Sequence, residues 1–211
     1  MQIYLPIAEL SLDVFLLLAI GDGILRVENG GMVSADNIVI GSGIAPPRPD
    51  GIVLGSGGTL EGVVTVLEGG VLAPGASPGV MTIDGDLIIE DGGILLLEAF
   101  GADPSEIDKI IVTGDLIIKD DARIEVYLGF DPAAPLSFFD VFGSIEIDPG
   151  FDGPDVFTIL GSGASNGQPV EVLIGQQRFL AFAVSPVPEP GALLLFGIGL
   201  AGLQAARRRL G

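Results

Sequence analysis

The sequence predicts an all-β chain: a short right-handed parallel β-helix, or solenoid, with a C-terminal cap, followed by a single transmembrane helix. Three observations carry this expectation. First, Thr82-Ile83-Asp84-Gly85-Asp86-Leu87-Ile88-Ile89 returns as Ile111-Val112-Thr113-Gly114-Asp115-Leu116-Ile117-Ile118, so Gly-Asp-Leu-Ile-Ile repeats at an offset of 29 residues. A strand, a Gly-Asp turn and a second strand recurring at a fixed period is the signature of a solenoid. Second, Leu87-Ile88-Ile89, Ile94-Leu95-Leu96-Leu97 and Ile110-Ile111-Val112 are apolar at consecutive positions. A half-exposed antiparallel strand alternates instead, so these strands are covered on both faces or stacked in ladders. Third, Gly191 to Ala206 is a run of 16 residues without charge, with Gln204 its one polar side chain, and it ends on Arg207-Arg208-Arg209.

Taken in chain order, residues 1–20 are poorly defined. Val14 to Ile20 is apolar, but Glu9 and Asp13 precede or flank it and no Lys or Arg does, which makes a poor secretory leader. A truncated leader or misplaced start is expected, a first strand being the other reading. Residues 21–128 form the solenoid. Within them Ile38-Val39-Ile40-Gly41-Ser42-Gly43, Ile52-Val53-Leu54-Gly55-Ser56-Gly57 and Thr59-Leu60-Glu61-Gly62-Val63-Val64-Thr65-Val66 are weaker relatives of the repeat. Short β-branched runs punctuated by Gly, Asp and Asn read as strands and turns. Each rung of a parallel β-helix holds three short strands, and a loop such as Phe100 to Asp108 can bulge from one corner. Residues 129–184 change character. Asp131-Pro132-Ala133-Ala134-Pro135 breaks the strands, and Phe138, Phe139, Phe142 and Phe157 bring aromatics suited to covering the last open rung. Residues 185–190 are a short, stiff, proline-bracketed spacer, 191–206 the membrane helix and 207–211 a basic tail.

As a helix, the apolar run rises roughly 24 Å at 1.5 Å per residue, short of a bilayer core of about 30 Å. Snorkelling arginine stems or local thinning of the bilayer make up the difference. Its four glycines, at 191, 197, 199 and 202, each weaken a water-exposed helix by up to about 1 kcal/mol relative to Ala but are common in membrane helices. By the positive-inside rule Arg207, Arg208 and Arg209 hold the C-terminus in the cytoplasm, which leaves Val187-Pro188-Glu189-Pro190 at the outer face. A proline-bracketed acid, a short apolar helix and a terminal arginine cluster, in that order, resemble the PEP-CTERM sorting signal of Gram-negative bacteria. The resemblance covers the tail alone. It implies cleavage near the motif by an exosortase-type membrane protease, with the bacterial inner membrane as a transient anchor and the cell surface or medium as the destination.

Composition agrees with export. Of nine basic residues three are the tail arginines, which leaves six against 28 acidic ones before Gly191, a net charge of −22 on the body and +3 on the tail. Such a body excludes nucleic acid as a partner, because neutralising phosphates needs clustered Lys and Arg. Glycine, 33 of 211 residues, is about twice its usual share. There is no Cys and no His, so no disulfide staples the domain. Ser-His-Asp and Cys-His nucleophiles and imidazole or thiolate metal sites are also ruled out.

Gly70-Val71-Leu72-Ala73-Pro74-Gly75-Ala76-Ser77-Pro78-Gly79, followed by Thr82 to Leu87, resembles the autotransporter-associated β-helix repeat over about Leu25 to Leu128. That resemblance implies the fold of a β-helical passenger or adhesin-like stalk, and does not imply autotransport. Carboxylate chemistry survives the exclusions, and right-handed β-helices include polysaccharide lyases and hydrolases. Asp84, Asp86, Asp91, Asp115, Asp120 and Asp121 are therefore candidates for catalytic pairs, and all but Asp91 are also weak candidates for calcium ligands. All sit beside turn glycines or at strand ends, where Asp caps its own backbone. Solvated turn carboxylates are thus the expectation, with no catalytic residue, no metal and no cofactor. Gly55-Ser56-Gly57-Gly58 and Gly161-Ser162-Gly163 lack the Gly-Lys-Ser/Thr of a phosphate loop. The resulting expectation is an exported, non-enzymatic envelope or extracellular-matrix protein, structural or adhesive, with exopolysaccharide as partner. A carbohydrate-active β-helix enzyme is the alternative, favoured by a groove of several carboxylates and an Arg or Lys on one solenoid face.

Overall fold

The computed structural model describes residues 2–5, 9–11, 17–20, 23–43, 51–75, 78–151, 157–161 and 169–182. The chain winds through them in rungs. The first holds β1 (Gln2–Leu5), β2 (Glu9–Ser11) and β3 (Leu17–Ile20). Next come β4 (Gly23–Glu28) with the long β5 (Met32–Ile40), then β6 (Gly51–Ser56) with the long β7 (Gly58–Val66). The following rungs are β8 (Gly70–Ala73), β9 (Val80–Asp84), β10 (Leu87–Ile89), and β11 (Ile94–Ala99), β12 (Lys109–Val112), β13 (Leu116–Ile118). A further rung carries β14 (Arg123–Leu128), β15 (Leu136–Ser137), β16 (Phe139–Val141) and β17 (Ile145–Ile147). Last are β18 (Phe157–Leu160), β19 (Pro169–Ile174) and β20 (Gln177–Phe182).

Stacking these rungs makes three parallel sides. One side is β1-β4-β6-β8-β11-β14-β18. The long strands serve the other two: β9 pairs with the first half of β7 and β10 with its second half, and β5 does the same towards β2 and β3. The second side therefore runs β2-β5-β7-β9-β12-β16 and the third β3-β5-β7-β10-β13-β17. A register shift between Ser34 and Asn37 marks the bend in β5.

The core is built from inward ladders. Ile38, Val64, Leu87 and Leu116 stand in register on the third side, and Leu25, Val53, Leu72, Leu95, Ile124 and Phe157 on the first. All ten are buried, and each such side chain is worth about 1.5–3 kcal/mol on removal from water. Leu87 opposite Leu116 across a parallel ladder is the pairing expected from the doubled motif. The consecutive apolar runs resolve as stacked ladders whose outward members, Ile88, Leu96 and Ile117, are half-buried. Buried and half-buried positions accordingly alternate along β10, β11 and β13. Strand β8, flanked by longer strands, is buried throughout.

Parallel stacking does not stop at Leu128. β16 pairs with β12, β17 with β13 and β18 with β14, so the described residues after Leu128 add further stacked parallel strands before a closing hairpin. That hairpin, β19–β20, is antiparallel and joins β15 in a three-stranded sheet. Phe151, Phe157 and Phe179 meet there with ring centroids 5.5–5.8 Å apart and, with buried Phe138 and Phe139, close the C-terminal end of the core. Phe142, 76% exposed, takes no part. Strands β1, β2 and β3 place described parts of residues 1–20 in the stack as its first rung. No helix among the described residues is long and apolar enough to cross a membrane; the expected transmembrane helix, 191–206, lies outside them.

Candidate functional site

The acidic turn residues fall on two different corners. Asp84, Asp86 and Asp115 lie where the second side turns into the third, and Asp91, Asp120 and Asp121 where the third side turns into the first. At the former corner the turns stack so closely that side chains are excluded. A Cβ on Gly114 would stand 2.7 Å from the Gly85 carbonyl carbon and closer still to Asp86 Oδ1, while Gly143 bears the same relation to Gly114 and Asp115. Gly114 N–H donates to Gly85 O and Gly143 N–H to Gly114 O, at 2.9 and 3.0 Å.

Asp84, Asp86, Asp91, Asp115 and Asp120 each reach the next rung. Asp86 Oδ1 accepts from Asp115 N–H at 2.8 Å, and Asp115 Oδ1 from Ser144 N–H at 2.7 Å. Thr113 Oγ1 donates to Asp84 Oδ1, Gly150 N–H to Asp120 Oδ1 and Asp121 N–H to Asp91 Oδ1, at 2.8, 2.9 and 3.3 Å. Bonds from Ser144 hold the Asp115 carboxyl below its usual range, as expected for a charged acceptor of N–H groups. These five aspartates are inter-rung staples. Among the described residues no three acidic side chains converge to hold a metal ion.

Sequence reasoning misses Asp108, although it closes a loop that the sequence marks. It is a buried ionisable side chain in the described core, 1% exposed. Oδ1 accepts from Gly79 N–H at 2.7 Å and Oδ2 from Glu98 N–H at 2.8 Å, so one carboxyl clasps backbone from adjacent rungs. Burial pushes it up to about 7 against the pull of those two bonds, with the nearby Glu98 charge adding to the rise. The loop it closes is ordered by its own chemistry: Asp103 accepts from Ser105 N–H and Glu106 from Asp103 N–H around the 3-10 turn Pro104–Glu106, a reciprocal cap.

At the other acidic corner an open groove of about 650 Å³ is lined by Glu68, Asp91, Asp120, Asp121, Arg123, Glu125 and Thr158. Burial raises the Glu125 carboxyl, and Arg123 partly opposes it. Glu98, on the same outward face, is raised by burial as well. On that face Glu98 stands in register with Tyr127, and Leu96 with Glu125. The Tyr127 ring packs 5.7 Å from Phe100. Sequence reasoning weighs the turn aspartates and passes over Glu98 and Glu125, whose half-burial follows from outward neighbours that only the register brings together.

The remaining candidates, Val187, Pro188, Glu189, Pro190, Arg207, Arg208 and Arg209, lie outside the described residues. There the comparison with known families is informative: the PEP-CTERM protein-sorting motif matches residues 186–209. No curated protein and no solved structure matches the chain. The sorting motif implies an exported protein processed by exosortase, a membrane protein.

Proposed function

We propose that this chain is a non-enzymatic, structural or adhesive component of the bacterial envelope or extracellular matrix, associated with exopolysaccharide. In this reading a short right-handed β-solenoid is carried to the outer face of the inner membrane and freed by cleavage near Pro188-Glu189-Pro190. The observation that carries it is a sorting motif at residues 186–209 placed after a stack of rungs that ends in a closing hairpin. Turn carboxylates engaged in holding rung to rung support a structural body. Residues 191–206 span the membrane and Arg207 to Arg209 keep the C-terminus inside, since carrying one arginine through the bilayer centre costs at least about 2.5 kcal/mol.

Intact-mass analysis in a host with an exosortase tests this. The mature product should lack Arg207 to Arg209. Changing Pro188, Glu189 and Pro190 should leave insertion intact and block release, and changing the three arginines to Glu should disturb topology. A mature protein that retains the arginines makes the tail a permanent anchor. A second reading has a specific observation in its favour: the groove with Glu125, Arg123 and three turn aspartates suits a carbohydrate-active enzyme. Release of reducing ends or unsaturated products from polysaccharides, lost on Glu125→Gln, would establish it. No turnover on a panel of acidic polysaccharides leaves the structural reading.

A further inference from the structure

On β11, β14 and β18 the outward face of the first side mixes carboxylates with apolar groups. Leu96, Glu125 and Thr158 form one row, and Glu98, Tyr127 and Leu160 the next. All six are half-buried. The groove at the acidic corner opens onto this face through Arg123, Glu125 and Thr158. Two residues beyond Glu98 comes Phe100, 45% exposed. From Ile94, which stands opposite Arg123, to Phe100 the strip runs about 20 Å.

Two features of this strip point to a ligand. Glu98 and Glu125 are half-buried, yet among the described residues neither carboxylate accepts a hydrogen bond. Burial raises both, as it does for acceptors that have lost water without gaining a donor. The second feature is Phe100, an exposed ring fixed from behind. It packs 5.7 Å from Tyr127 and so close over Gly129 that a Cβ there would stand 2.7 Å from Phe100 Cδ1. Its own N–H donates to Glu106 O at 2.9 Å. A rigid aromatic surface, two acceptors short of donors and the exposed Arg123 guanidinium match a sugar polymer. Such a polymer brings C–H faces to the ring, hydroxyl donors to the carboxylates and hydroxyl acceptors to the guanidinium. Charge narrows the class, because a body of −22 repels a polyanion. A neutral polymer supplies the donors without that cost.

We propose that the strip from Arg123 across Glu125 and Glu98 to Phe100 binds a neutral polysaccharide laid along the outward face of the first side. This rests on the structural reading with exopolysaccharide as partner, and it gives that partner a place on the body and a chemical class.

Affinity electrophoresis of the full chain in mild detergent tests this, in native gels that hold hydroxyethylcellulose, galactomannan or dextran as neutral polymers, or alginate as a polyuronate. At least one neutral polymer should retard the protein, and alginate should not. Phe100→Ala and Glu125→Gln should each weaken that retardation roughly tenfold in apparent affinity. Val80→Ala, which trims an exposed apolar side chain on the second side, should leave it unchanged. Glu125→Gln keeps the shape of the side chain, and circular dichroism unchanged from the parent shows that each variant reports on a folded body. Retardation that survives both variants overturns the placement and leaves the association with polysaccharide standing. Stronger retardation by alginate overturns the neutral class. No retardation by any polymer overturns the proposal and the association together. A dimer in sedimentation that is lost with Phe100→Ala gives the face to a second copy and overturns the proposal as well.

Discussion

Asp108 gives the sharpest test of how this core is held. Its carboxyl titrates near 7 in the fold and near the ordinary value of about 3.9 when unfolded, so the native state binds the extra proton between those values. Stability from this group is therefore greatest below about pH 4, falls as pH rises, and levels off above about pH 7. At about 1.4 kcal/mol per pH unit, the loss between about pH 5 and pH 8 comes to about 3 kcal/mol. Asp108→Asn removes the charge but sets an NH2 group against one of the two backbone N–H donors, Gly79 or Glu98, a penalty that does not vary with pH. Urea unfolding of the full chain and the Asn variant, across this range in mild detergent, isolates the residue from general charge repulsion. The Asn variant should gain about 3 kcal/mol relative to the parent between about pH 5 and pH 8. Parallel profiles between about pH 5 and pH 8 would refute the reasoning and mean that the two N–H bonds offset burial of the charge.

Other expectations follow from the ladders and corners. Leu116→Ala, in the middle of a fully buried ladder, should cost about 2–5 kcal/mol in the same unfolding assay. Gly114→Ala, which drives a methyl group onto Gly85 and Asp86, should cost about 1–3 kcal/mol, whereas Gly30→Ala, with open space around it, is opposed by its positive φ alone. Asp115→Asn should weaken the bond from Ser144 N–H and lower the midpoint of a thermal melt, without altering any response to calcium or chelator.

The repeat is legible where two rungs have the same length. Leu87 and Leu116 are 29 residues apart, as are Leu116 and Ile145, but the third copy of the motif reads Gly143-Ser144-Ile145 and hides behind its serine. Val71 follows Ile52 by 19 residues while Phe157 follows Ile124 by 33. Corners take insertions without disturbing the ladders, so the period dissolves at either end. The rung after Leu128 is hidden for that reason, its Pro and Phe content reading as a new segment. A signal for the tight corner is present: Gly62, Gly85, Gly114 and Gly143 are spaced by 23, 29 and 29 residues, matching the ladder beside them. Asp108 carries no such signal, because its burial depends on backbone near residues 79 and 98 that is distant in sequence.

The closing hairpin also decides how the protein responds to force. A tether on the C-terminal side acts first on Phe182, which lies opposite Pro169 at the open end of β19–β20. Load applied to the open end of an antiparallel pair breaks its bonds one after another, while load along a strand stretches many together. A pull from the tail therefore peels β20 from β19 before tension reaches the rungs. The hairpin becomes a mechanical fuse, slack that is spent and rewound while the stack behind it stays closed.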